Sequence, residues 1–218
     1  MKKVILAVPK GRILKELIPI LSKMDLKIED DFYNEGSRKL FFKTNEDNFE
    51  IIRVRSFDVA TFVAFGAAQI GVAGNDVLTE FEYDEIYSVL DLKIGKCRLS
   101  VAKKKNEKHD RVEKSGHLLV ATKYKNTVTN FYAEKGIRAE CIKLNGAIEL
   151  APKLQMCSAI VDLVSSGKTL KENDLDEKEV LLNITSQLIV NKVAYKVMNP
   201  NTSKWIKKFE KVVNEQNN

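Results

Sequence analysis

Ala159-Ile-Val-Asp-Leu-Val-Ser-Ser-Gly-Lys-Thr-Leu170 is the stretch on which the reading of this chain turns. Ile160, Val161, Leu163 and Val164 form an apolar run of strand length, interrupted only by Asp162. Ser165, Ser166, Gly167 and Thr169 follow as a turn, with Thr169 positioned to cap a short helix over Leu170-Lys-Glu-Asn173. Such a turn aims backbone N–H groups and hydroxyls at one point near the positive end of a helix dipole, an arrangement that binds phosphate. The same composition also makes an ordinary capped connector, and both readings stand at this point.

Gly167-Lys168-Thr169 imitates the end of a nucleotide P-loop. A true P-loop needs a further glycine five positions before Gly167, so that the backbone can wrap the phosphates. Asp162 occupies that position, and its carboxylate repels phosphate. An acid at the strand end followed by a hydroxyl-rich cradle suits a phosphorylated sugar. The acid accepts hydrogen bonds from ribose hydroxyls while the turn holds the 5′-phosphate.

Outward from this stretch the chain alternates strand and helix patterns. Val4–Val8, Glu50–Arg55, Ile70–Gly74, Arg98–Ala102, Leu118–Ala121 and Ala139–Leu144 read as strands. Ile13–Met24, Val59–Ala68, Thr127–Lys135, Ala147–Leu154 and Lys204–Val213 read as helices, with Asn214–Asn218 fraying. Asp76 starts another helix after the Gly74 turn. This alternation predicts an α/β fold with mainly parallel sheets.

Two further strand ends read as ligand loops. In Val8-Pro-Lys-Gly-Arg12, Lys10 and Arg12 flank Gly11, a cationic clamp beside backbone N–H groups. Ligands of open α/β sheets collect at such strand ends. Gly71-Val-Ala-Gly-Asn-Asp76 is a tight turn where a flat base could approach the backbone. A capped helix start explains the first equally well, and packing glycines explain the second.

The 218 residues, 44% hydrophobic and 30% charged, describe a soluble globular protein of one large or two small domains. A chain of this size buries roughly 70% of its unfolded surface and requires no disulfide or metal staple. Cys97, Cys141 and Cys157 are widely spaced, lack a C-x-x-C pattern and read as reduced core thiols. The apolar run after Met1-Lys-Lys is too short for a secretory signal, and no stretch reads as membrane-spanning. A net charge of +6 fits either a lysine-rich surface or attraction of polyanionic ligands. The run Lys103–Lys108 holds no aromatic platform for bases, which argues against nucleic acid. Neither histidine, His109 in this basic loop nor His117 at a strand start, lies in a catalytic motif.

The ordered motifs Pro9-Lys-Gly-Arg12, Arg55-Ser-Phe-Asp58, Gly71-Val-Ala-Gly-Asn-Asp-Val-Leu78, Gly95-Lys-Cys-Arg-Leu99, Ala121-Thr-Lys-Tyr124, Gly146-Ala-Ile-Glu-Leu-Ala-Pro152 and Asp162–Leu170 run the length of the chain. In order and spacing the chain resembles the short form of the ATP phosphoribosyltransferase family. The resemblance implies a two-lobed, type-II periplasmic-binding-protein-like α/β architecture with the active site in the interdomain cleft. Lobe I, the ATP side, would hold residues 1–91 plus 184–218, and lobe II, the phosphoribosyl pyrophosphate side, residues 92–183.

The reaction so implied is attack by N1 of ATP on C1 of phosphoribosyl pyrophosphate, with inversion and loss of pyrophosphate, the first step of histidine biosynthesis. An oxocarbenium-like transition state with a polyphosphate leaving group needs positioning and cationic stabilisation more than a nucleophilic side chain. By resemblance, Ser165, Ser166, Gly167, Lys168 and Thr169 cradle the 5′-phosphate, and Asp162 and Glu149 hold ribose hydroxyls. Lys10, Arg12 and Arg55 face the polyphosphates as the catalytic cations, and Lys10, Gly11, Arg12, Gly74 and Tyr124 lie on the ATP. Mg²⁺ is held mostly by substrate oxygens and water, with no cage of protein ligands.

The length implies the short form, without the histidine-binding C-terminal domain of the long form. Its partner is then a regulatory subunit resembling a histidyl-tRNA synthetase, and a homodimer within a cytoplasmic hetero-oligomer is expected. The chain departs from the family pattern at Gln155-Met-Cys-Ser158, where Gly-Leu-Ala/Ser-Asp is usual. It departs also at Gln69, where an acid is common, and at Ala60, where proline is. The rival readings are a non-catalytic small-anion-binding protein of the same fold and a basic nucleic-acid-binding module.

Overall fold

The structure, a computed structural model, describes residues 3–105 and 117–216. His109 and the end of the lysine-rich run, Asn106 to Lys108, lie outside the described residues, as do Asn217 and Asn218. The chain divides into two compact units. The first comprises Met1–Leu78, Glu82–Gly95 and Thr185–Asn218, and the second Thr79–Phe81 and Lys96–Ile184.

In chain order the first unit opens with β1 (Val4–Pro9), whose residues are almost all buried. In α1 (Arg12–Lys23), Leu14, Leu17, Ile20 and Leu21 recur at helical spacing and face the core. β2 (Phe41–Lys43), β3 (Phe49–Val54), α2 (Ser56–Ala64), β4 (Ile70–Gly74), α3 (Asn75–Phe81), whose residues Thr79–Phe81 belong to the second unit, and β5 (Ile86–Asp91) follow. The second unit carries β6 (Cys97–Lys104), β7 (His117–Thr122), α4 (Lys125–Glu134), β8 (Arg138–Lys143), α5 (Leu150–Lys153), β9 (Ala159–Val164), α6 (Lys168–Glu172) and β10 (Leu175–Ile184). The chain then returns to the first unit through β11 (Ser186–Asn191), α7 (Lys192–Val197) and α8 (Asn199–Gln216).

The first sheet has the order β2-β3-β1-β4-β11-β5 and the second β10-β6-β9-β7-β8. Both contain the same local pattern. β1 lies between β3 and β4, parallel to each, and β7 lies between β8 and β9, again parallel to each. β11 joins antiparallel beside β4, and β6 joins antiparallel beside β9. Each unit therefore has a strand whose successors cross to opposite sides, and ligands of such sheets gather at the carboxyl ends of the strands there.

The core of the first unit includes Leu6, Leu17, Phe32, Phe42, Phe49 and Leu92, and α8 packs Trp205, Phe209, Val212 and Val213 onto it. Trp205 stacks on Phe49 with ring centroids 3.7 Å apart, and Lys204 and Lys208 each reach Glu46 across 3.1 Å. Leu92 and Ile94 lie in this core, past the Asp91 at which the sequence reading ends lobe I. In the second unit Ile160, Val164, Leu170, Leu175 and Ile148 pack together. The buried acid Glu80 accepts hydrogen bonds from the Asn126 and Thr127 amides and the Thr127 hydroxyl, at 3.1, 3.0 and 2.8 Å. It thereby satisfies two open donors at the start of α4.

Several sequence expectations are corrected. The sheets are mixed, with four parallel and five antiparallel pairings among the described residues, rather than mainly parallel. β2, β5, β10 and β11 escape the sequence reading. α2 stops at Ala64 instead of Ala68, with Gly66 at φ 72° just beyond. α5 spans only Leu150–Lys153, because Ala147 at φ 51° interrupts the expected helix. α8 begins five residues before Lys204, with Pro200 tolerated in its first turn. Cys157 is buried, but Cys97 and Cys141 are only half-buried and so are not core thiols.

Candidate active site

In the second unit the parallel pairing of β7 with β9 sets Thr122 opposite Val161, so the residues that follow, Lys123 and Asp162, adjoin at the sheet edge. The fully buried Thr122 hydroxyl donates to the Val161 carbonyl at 2.8 Å and accepts from the Tyr124 amide at 3.0 Å. That bridge locks the end of β7 to β9. Asp162 accepts from the Leu163 amide at 2.8 Å. Burial pushes its carboxyl up to about 6; the Leu163 amide opposes this, Glu149 adds like-charge repulsion and Lys123 pulls the other way. The Glu149 and Asp162 carboxyls and the Lys123 ammonium thus share one electrostatic environment.

β9 ends at Val164, and the turn that follows exposes Ser165 and Ser166. Gly167, at φ 75°, occupies the helix cap position that Thr169 was expected to fill, and Thr169 lies exposed in the first turn of α6. The Ser166 hydroxyl accepts from the Lys168 amide at 3.4 Å. With five residues α6 contributes little macrodipole, and its first-turn amides lie among the Ser165, Ser166 and Thr169 hydroxyls.

In the first unit the loop after β1 borders a cavity of about 480 Å³ lined by Lys10, Arg12, Lys15, Tyr33, Ser37 and Arg53, among others. Gly11 also lines it. Arg12 Nη2 donates to the Gly95 carbonyl at 3.2 Å. Arg53 is a buried cation at 4% exposure. Its Nη1 donates to the carbonyls of Phe32 and Asn34 at 3.1 and 3.4 Å, and its Nη2 to those of Ser37 and Lys39 at 3.0 and 3.3 Å. One guanidinium thereby shapes the cavity wall over residues 32–39.

Of the residues singled out in the sequence, Lys10, Gly11 and Arg12 line this cavity, and Asp162 and Glu149 are electrostatically coupled beside the Ser165–Thr169 turn. Arg55 stands exposed at the N-cap position of α2 and does not line the cavity. Gly74 is a buried strand residue ahead of α3, and Tyr124 is 1% exposed. Gly71 serves packing, since a Cβ there would lie 2.7 Å from Val63 Cγ2. Arg53 and Lys123 were missed. A lone arginine inside the apolar run of β3 signals a buried cation with partners, and Lys123 follows Thr122 directly at the strand end.

No group of three or more His, Cys, Asp or Glu side chains able to hold a metal occurs among the described residues. No described helix is long and apolar enough to cross a membrane.

The sequence model of the family HisG: ATP phosphoribosyltransferase matches residues 55–211. An ATP phosphoribosyltransferase of Rhodospirillum rubrum is 54% identical over 208 residues, 95% of this chain and 92% of that protein. The chain belongs to the ATP phosphoribosyltransferase family. Among solved structures it is similar to the ATP phosphoribosyl transferase (HisG:HisZ) complex from Thermotoga maritima, with TM-score 0.83, 28% identity and 97% and 99% of the two chains covered. The periplasmic aliphatic sulphonate binding protein SsuA of Escherichia coli, at TM-score 0.60 and 9% identity, covers 98% of this chain and 73% of its own, and shares the fold alone.

The family resemblance, its short form and the two-lobed type-II binding-protein architecture are thus borne out. The chain is an enzyme that transfers the phosphoribosyl group from phosphoribosyl pyrophosphate to ATP at the start of histidine biosynthesis. The non-catalytic reading is not favoured.

The positions that the sequence reading marked as departures have structural roles of their own. Gln155 has a left-handed backbone at φ 58°, of the kind glycine favours. The Met156 amide donates to the Ala151 carbonyl and the Gln155 amide to the Pro152 carbonyl, both at 3.0 Å, closing the helix end as a Schellman motif. Gln69 accepts from the Ile5 amide at 2.9 Å and donates to the Gly66 carbonyl at 3.2 Å. An acid could make only the first of these bonds. Ser158 donates its hydroxyl to the Leu119 carbonyl at 3.3 Å. The turn before β9 is therefore closed without a glycine.

Proposed function

We propose that the second unit holds phosphoribosyl pyrophosphate, with the 5′-phosphate in the Ser165–Thr169 turn and the ribose hydroxyls on Asp162 and Glu149. The observation that carries this reading is the continuity of a carboxylate pair with a hydroxyl-rich turn at one strand end. Ionised Asp162 accepts from ribose hydroxyls, and Lys123 balances the paired acids. Such contacts fix C1 for in-line attack by N1 of ATP, and the reaction gains most from this positioning.

The first unit binds ATP in this reading. Lys10 and Arg12 bring positive charge to the cavity for polyphosphate, while Lys15 is paired there with Glu35 at 2.8 Å. Arg55 is proposed as a further catalytic cation and Gly74 as a nucleotide contact, both outside the cavity lining. Cations of this kind stabilise charge as it develops on pyrophosphate. Mg²⁺ in this reading is carried on the phosphates, since this ion retains water beside phosphate oxygens. The ion would neutralise pyrophosphate charge.

The Thermotoga HisG:HisZ complex supports a HisZ-type partner subunit. That this partner resembles a histidyl-tRNA synthetase, and that a homodimer of this chain sits inside a cytoplasmic hetero-oligomer, is proposed from the family resemblance alone. The test follows phosphoribosyl-ATP by absorbance, from ATP, phosphoribosyl pyrophosphate and Mg²⁺ with pyrophosphatase present. Asp162→Asn and Thr169→Ala run beside wild type, with and without the regulatory subunit. Raised KM for phosphoribosyl pyrophosphate in both variants supports the site. Wild-type KM in both, with the proteins folded, refutes it.

A further inference from the structure

Arg98, in the Gly95–Leu99 motif, has no role in the site described above, yet its side chain reaches the substrate turn from behind. It lies opposite Val164 in the β6–β9 ladder, on the last rung before the turn. Its Nε and Nη2 each donate to the Glu177 carboxylate at 2.5 Å, a two-pronged ion pair on β10. The Ser100 hydroxyl donates to the same carboxylate at 2.7 Å, which leaves Glu177 doubly engaged on this face of the sheet. The remaining nitrogen, Nη1, donates to the carbonyl oxygen of Ser165 at 3.2 Å.

We infer that Arg98, aligned by Glu177, is a positioning residue that orients the Ser165–Ser166 peptide for phosphate binding. The reason is peptide geometry. In a planar trans peptide the C=O and N–H bonds point in opposite directions, so tethering the Ser165 oxygen to Arg98 sends the Ser166 N–H the other way. The ion pair makes the tether directional, because a guanidinium engaged on two edges cannot rotate independently. Donation by Arg98 holds the Glu177 carboxyl below its ordinary range, with Ser100 assisting against burial, so the acid stays ionised at neutral pH. Arg98 acts through the backbone of a loop whose next residues carry the hydroxyls and the helix start.

This inference rests on the reading of Ser165–Thr169 as the 5′-phosphate cradle. It is tested by steady-state kinetics on the full chain with its regulatory subunit, comparing Arg98→Lys, Glu177→Gln and Thr169→Ala. Lysine keeps the charge but cannot grip Glu177 along two edges and reach the Ser165 oxygen as well. Arg98→Lys and Glu177→Gln are expected to raise KM for phosphoribosyl pyrophosphate roughly tenfold or more, with KM for ATP within about twofold of wild type. Glu177→Gln preserves shape and decides the matter should Arg98→Lys fail to fold. Normal KM for phosphoribosyl pyrophosphate in both variants, beside an impaired Thr169→Ala, overturns the role of Arg98 alone. So does an equal rise in both KM values accompanied by a lowered melting temperature, the mark of a purely structural ion pair. A normal Thr169→Ala removes the cradle reading, and the inference with it.

Discussion

Arg12 and Gly95 are joined by a hydrogen bond from Nη2 of the arginine to the glycine carbonyl at 3.2 Å, although 83 residues separate them in sequence. The Gly95 amide in turn donates to Glu16 Oε2 at 2.7 Å, so one glycine anchors two residues of α1. Gly95 has φ 69°, and a Cβ there would lie 2.7 Å from Ser186 Oγ and 3.3 Å from Ile13 Cγ1. Gly95→Ala is expected to destabilise the chain by about 2 kcal/mol, through backbone strain and the clash. It is also expected to raise KM for ATP, because Arg12 loses its tether. Thermal melting and steady-state kinetics check both effects; unchanged ATP affinity would show that the tether is irrelevant to binding.

Asp162 makes stability and substrate binding pull in opposite directions with pH. Its folded-state carboxyl lies near 6, against an ordinary 3.8, chiefly through burial. Between those values the folded protein retains a proton that the unfolded chain has lost, so this group's contribution to stability falls as pH rises through the window and levels off above it. Asp162→Asn is therefore expected to be more stable than wild type at neutral pH, by on the order of 2 kcal/mol after allowance for partial exposure. The difference shrinks towards pH ~4, as urea titrations would show. Wild-type KM for phosphoribosyl pyrophosphate should rise below about pH 6 as the acceptor becomes protonated.

Arg53 supports a wall rather than a ligand. Arg53→Met fills similar space and lies under the Phe42 ring, which the guanidinium now approaches at 5.1 Å, but leaves four carbonyls over residues 32–39 without their donor. A loss of about 2 kcal/mol is expected, because the Phe32 carbonyl is left buried without this donor, whereas the Asn34 carbonyl keeps the Ser37 amide at 3.2 Å and the others lie nearer solvent. Hydrogen exchange should quicken in residues 33–39 ahead of the rest of the first unit. Uniform quickening across that unit would contradict a local role.

Gln155 holds a left-handed backbone that glycine adopts without strain. Gln155→Gly is expected to stabilise the chain by about 0.5–1 kcal/mol, since the Schellman closure is already formed. Differential scanning calorimetry measures the gain, and turnover should be unchanged. A lowered melting temperature would mean that the glutamine side chain compensates for its backbone.

The β9–turn–α6 segment was legible because everything that defines it is local: an apolar run, an acid, small hydroxyl residues and a glycine within twelve positions. Lys10 and Arg12 were legible for the same reason. Arg53 was not, because its four acceptors come from a segment 14 to 21 residues away that has no pattern of its own. β10 was missed because Asp176, Glu177, Lys178 and Glu179 hide the strand in what reads as solvated loop. Only pairing with β6, with irregularities in register, makes it a strand.

By itself the sequence determined the alternation of strands and helices, the loops at the ends of β1 and β9, and, through the order of its motifs, the family. These depend on spacing along the chain and on side-chain chemistry, which need no knowledge of distant partners. Only the tertiary structure decided that the sheets are mixed, that Arg12 is tied to Gly95, that Arg98 grips Glu177 and the Ser165 carbonyl, and that Asp162 is buried enough to resist ionisation. Each of these arises between residues far apart in sequence. Strand direction, hydrogen-bond partnership and desolvation depend on which segments the fold brings together.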